Sequence, residues 1–136
     1  MANDFLRLHG GTEIVAAVRS KEHAAAFSVK EIASVFLDLN DEATHRPALE
    51  GTDRRFVVRG YTVDMLRQSK VLLDNVGEAG VSHVVHLVAC GRDDTSVAHW
   101  AWHQLVERYI QWAGFSYTHL RPETFMQNML LTKVRN

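Results

Sequence analysis

Residues 97–130, reading VAHWAWHQLVERYIQWAGFSYTHLRPETFMQNML, constrain the fold of this chain more than any other stretch. Ala98, Ala101, Leu105, Tyr109 and Trp112 recur at steps of three and four, so on a helix they stack into one apolar stripe, which is expected to face the core. Gly114 follows the stripe and offers the left-handed cap on which such helices end. Residues 115–120 then alternate large apolar with small polar side chains, as a half-buried strand does. Arg121 and Pro122 stop that strand, because Pro122 has a fixed φ and no N–H to give, and 124–131 is helix-permissive again.

Upstream, apolar runs and helical stretches alternate. Residues 4–9 read as the last turns of a helix stopped by Gly10 and Gly11. The run 12–18 (TEIVAAV) has the branched, largely apolar character of a strand buried on both faces, and Arg19, Ser20 and Lys21 end it with charge. An alanine-rich helix is expected over 21–27 and a second strand over 31–39, closing on Asp38. Asn40 suits the cap of a short helix, Pro47 interrupts any longer one, and 49–51 reads as loop. A third strand is expected over 55–59 and a helix over 62–79, with Val63, Leu66, Lys70, Leu73 and Val76 at helical spacing and Gly80 as its stop. The run 83–89 (HVVHLVA) is a fourth strand. Strands alternating with helices imply right-handed crossovers and a largely parallel sheet with helices on both faces.

Composition narrows the class. A chain of 136 residues, 46% hydrophobic and 23% charged, suits one globular domain over 1–136. Fifteen basic residues against sixteen acidic give no overall pull towards nucleic acid or an anionic membrane. Cys90 is the single cysteine, so no internal disulfide forms, and the apolar runs fall short of a membrane span. The first residues lack the basic start and apolar core of a secretory signal, and a cytoplasmic location is expected.

Several fixed-spacing elements coincide in Glu107, Gly114, Tyr117-Thr118-His119-Leu120-Arg121-Pro122 and Phe125-Met126-Gln127-Asn128. Together they closely resemble the NmrA-like proteins, the atypical short-chain dehydrogenase/reductases. The rest of the chain falls in register: EIVAAVRS is similar to that family's second strand, FLDLND to the end of its third, and EAGVSHVVHLVACG to its fifth. The resemblance implies a Rossmann-like, doubly wound parallel sheet that binds NAD or NADP. It also implies truncation at the N-terminus, because the family's first strand and its phosphate-cradling GxxGxxG turn have no counterpart. Gly10 and Gly11 precede a strand and serve as a turn.

By the resemblance, Arg19 and Lys21 lie where the adenine ribose is read, and basic groups there favour the 2′-phosphate of NADP over NAD; otherwise they are a solvated strand end. Asp38 takes the place of the adenine-side acid, or else caps the turn that follows; Leu39, Arg59 and Gly60 complete the implied cofactor contacts. The family's Ser-Tyr-Lys relay is missing, since Cys90 stands near the serine position, His99 at the tyrosine and His103 at the lysine. His103 is the candidate substitute acid. Cys90, Phe125 and Asn128 are the implied substrate contacts, with an inert buried thiol, packing and helix capping as their structural alternatives.

His99, His103 and Glu107 share one helix face and invite a metal reading, but a solvated polar face is the preferred account; no metal is expected. Trp100, Trp102 and Trp112 read as packing residues. Two functions follow from the resemblance: hydride transfer to a small carbonyl or quinone, or a non-catalytic NADP(H) sensor that binds a regulatory protein partner. A third reading is a chain that binds no dinucleotide. Without the family's first strand its two neighbours carry unpaired edges, so either a homodimer or direct pairing of the second and fourth family strands is expected.

Overall fold

The computed structural model describes residues 12–58, 60–88, 91 and 94–122. The chain divides into two compact units, Met1–Glu50 and Gly51–Asn136.

In the first unit, β1 (Val15–Val18) and β2 (Ala33–Phe36) pair in parallel, from Val15↔Ala33 to Val18↔Phe36, with α1 (Lys21–Ser28) as the crossover. Ser20 starts α1 because its side chain accepts the His23 N–H at 3.2 Å. Glu31, at φ 56, turns the chain sharply into β2, which is shorter than the 31–39 run implied. Beyond Leu37 the backbone is taken over by side-chain bonds: Asp38 Oδ1 accepts the Asn40 N–H at 2.9 Å, and the Thr44 hydroxyl accepts the Asp38 N–H at 3.0 Å. The cap expected of Asn40 belongs to Asp41, whose carboxylate accepts the Ala43 N–H at the start of a 3-10 turn, Glu42–Thr44. The helix that follows, α2 (His45–Leu49), is short, and Pro47 sits in its first turn, where its missing N–H would have no partner in any case. Val18, Ile32, Leu37, Ala48 and Leu49 are buried, as is His45, whose Nε2 lies 3.1 Å from the Asp38 carbonyl oxygen.

In the second unit, β3 (Arg54–Val58), β4 (His83–Leu87) and β5 (Ser116–Leu120) form an all-parallel sheet in the order β3-β4-β5. The crossovers are α3 (Met65–Glu78) and α4 (Ala98–Trp112), which pack on one another. Gly80 and Gly114 end them at φ 76 and 81, as read from the sequence. Met65, Leu72, Leu73 and Val76 of α3 are buried, together with Val57 and Val84 of the sheet; Val63 lies ahead of α3 and is exposed.

The stripe chosen on α4 is not its inward face. His103, Val106, Glu107 and Ile110 are buried, whereas Leu105 is 52% and Trp112 80% exposed. One residue is a rotation of about 100° on a helix, and two rows at helical spacing compete for the inside. The more polar row takes it because Glu107 meets Arg121, just past β5, in a two-pronged ion pair, with Nε donating to Oε1 at 2.8 Å. The preferred reading of His103 and Glu107 as a solvated face, and of Trp112 as a packing residue, is corrected accordingly. No helix among the described residues is long and apolar enough to cross a membrane.

Candidate functional site

In the second unit, the parallel register brings the residues just beyond β3, β4 and β5 to one edge of the sheet, the edge where parallel α/β sheets take their ligands. The N-terminal half of α4 meets that edge through a series of rings. Tyr61, past the end of β3, lies 4.5 Å from His99 and 5.9 Å from His103 between ring centroids. His103 lies 5.6 Å from His86 of β4, and His86 5.9 Å from His119 of β5, which stacks on Tyr117 at 4.7 Å. The series runs from an exposed phenol inward to a fully buried imidazole.

The expected acid, His103, therefore sits inside: it is 3% exposed and meets the surface through Tyr61. Both ring nitrogens of His119 are buried without a hydrogen-bond partner in the structure. Burial holds its pKa below the usual imidazole range, with Glu107 pulling it up and Arg121 pushing it down. His99, His103 and Glu107 share a helix but do not converge on a metal-sized site, and no such group occurs among the described residues. Sequence reasoning missed Tyr61, His86 and His119. The alternation in HVVHL places His86 on the same face as the buried Val84, a signal open to reading; Tyr61, in a loop, gave none.

In the first unit, Arg19 and Lys21 are both exposed at the carboxyl end of β1, on either side of the capping Ser20. The carbonyl oxygen of Val18 accepts the Leu37 N–H at 2.9 Å, so Asp38 and Leu39 follow the neighbouring strand at the same edge. Asp38 fills the structural alternative given for it: its carboxylate closes a turn and its carbonyl oxygen accepts the Thr44 hydroxyl at 3.1 Å. In the second unit Gly60 is exposed, and a Cβ there would meet nothing within 4 Å, so no steric need for glycine shows. Arg59, Cys90, Phe125 and Asn128 lie outside the described residues. As a donor set, two exposed cations flanking a helix N-terminus fit a dinucleotide carrying a 2′-phosphate.

The sequence profile of the NAD(P)H-binding family matches residues 4–135, and the chain belongs to that family. A Rossmann-like fold accompanies it. The chain superposes on NADP(H)-complexed triphenylmethane reductase of Citrobacter sp. with a TM-score of 0.81 and 19% identity, covering 93% of this chain and 46% of that one. On the NADPH complex of an NADPH-dependent quinone oxidoreductase of Escherichia coli the TM-score is 0.82 with 23% identity, covering 96% and 47%. An NAD(P)H azoreductase of Xenophilus azovorans is 29% identical over 117 residues, which are 85% of this chain and 41% of the relative. The chain thus spans less than half the length of these relatives.

Proposed function

We propose that this chain works in an NmrA-like reductase that prefers NADPH and reduces a small carbonyl, a quinone or a similarly conjugated acceptor. The observation that carries the cofactor preference is the exposure of Arg19 and Lys21 around the capped start of α1. Both side chains are free to meet a 2′-phosphate, while the one carboxylate nearby in sequence order on β2's carboxyl end, Asp38, is engaged in its own turn. When bound, the reduced nicotinamide supplies the hydride. His103 then holds the proton, with Tyr61 between it and the surface, and the packing around His103 keeps water away from its ring.

Calorimetric titration with NADPH and then NADH tests the preference. NADPH is expected to bind about tenfold or more tightly than NADH, and the double change Arg19→Glu, Lys21→Glu to remove that margin. Equal affinity for the two dinucleotides sinks the assignment.

Burial of His103 favours a second reading, a non-catalytic NADP(H) sensor with a protein partner. A residue 3% exposed is poorly placed to reach an acceptor, and the Ser-Tyr-Lys set is missing from the sequence. Acceptor-dependent NADPH oxidation separates the two: turnover removes the sensor, and tight binding without turnover removes the reductase.

A further inference from the structure

Tyr61 is an exposed ring that is nonetheless held. It is 62% exposed, yet α4 backs it with two imidazoles on successive turns: His99, tilted 55° against it, and His103, perpendicular to it. His99 is braced in turn by Trp100, edge-on at 5.9 Å. Gly91, after β4, lets the chain lie close over Trp100, since a Cβ there would come 3.1 Å from the Trp100 Cβ. The arrangement stands at the carboxyl edge of β3 and β4, where a parallel sheet takes ligands. Both ring contacts of Tyr61 are themselves aromatic, so what it offers a ligand is a π face stiffened from behind. Such a surface suits a flat conjugated ring better than a sugar or a phosphate.

We infer that Tyr61, braced by His99 and His103, is the stacking site for the planar aromatic or quinoid ring of the acceptor. The assignment rests on the reductase reading for the word acceptor, and on the ring geometry for the site itself.

The test is calorimetric binding of anthraquinone-2-sulfonate, a flat quinone that does not add thiols, to the full chain without dinucleotide. The unaltered chain and Tyr61→Phe are expected to bind it equally within about threefold, and Tyr61→Ala about tenfold or more weakly, with unchanged circular dichroism. Binding by Tyr61→Ala equal to that of the unaltered chain overturns the inference, as does failure of the unaltered chain to bind. NADPH is titrated separately on the same proteins. Probe binding that depends on Tyr61 in a chain that takes no NADPH upholds the ring site and removes the reductase reading.

Discussion

Glu107 shows how a charged residue becomes a packing residue. It is 5% exposed, and the guanidinium of Arg121 spans its two oxygens. Removing the arginine alone leaves a carboxylate inside without its partner, a change that typically costs about 3 kcal/mol, whereas an apolar pair of similar volume recovers most of it. Arg121→Met is therefore expected to lower the urea midpoint sharply, and the double change Arg121→Met, Glu107→Leu to restore it; equal midpoints for the two variants would contradict the pairing. His119, close by, has a pKa lowered chiefly by burial, against the pull of Glu107 and with the push of Arg121. The folded state then binds fewer protons at this site than the unfolded chain. The stability His119 contributes is present above its unfolded pKa of about 6.5 and is lost as pH falls through that value towards the lower folded one. Unfolding free energy measured from pH 7.5 to 5 should fall with pH, and His119→Phe should flatten the slope.

At the scale of elements, α4 decides the second unit. Its inward row is His103, Val106, Glu107 and Ile110, and its apolar stripe is turned out. Ile110→Ala is expected to cost about 2–5 kcal/mol and Trp112→Ser within about 0.5 kcal/mol, read from denaturant midpoints. The reverse order would restore the stripe as the core face. The outer side of α4 is tied to α3 by another device: the Tyr109 hydroxyl donates to Asp74, and Lys70 donates to the same carboxylate at 2.7 Å while its ammonium lies over the Tyr109 ring. The bond to Asp74 raises the Tyr109 pKa. So exposed a pair with Lys70 contributes little on its own. Tyr109→Phe, which loses the phenol bond, is expected to cost about 1 kcal/mol.

Among the described residues, one unit carries a two-stranded sheet and the other a three-stranded sheet. Two strands alone are marginal, and α1, which joins them, has no buried residue. β4 is paired on both sides and its Val84 is fully buried. Hydrogen exchange is expected to be slowest in β4 and faster in β1 and β2; uniform protection across the five strands would mean that the units do not differ in stability. The homodimer proposed from the sequence would pair strand edges between two copies of the chain. Sedimentation velocity across a hundredfold range of concentration tests it, and a monomer throughout rejects it.

What the residues declared alone was the order and type of elements. Periodicity and the glycines at 80 and 114, which take positive φ, are local properties, fixed by a few neighbouring dihedrals and hydrogen bonds. They sufficed for a parallel α/β chain, and the spaced residues around Glu107, Gly114 and Arg121 for its family. Only the tertiary structure decided which row of α4 turns inward. The polar row is acceptable inside because Arg121 arrives from the end of β5, 14 residues on, and because His86 and Tyr61 bring ring faces to His103. Those partners lie on other elements, so the burial they permit is written in no local period of the helix.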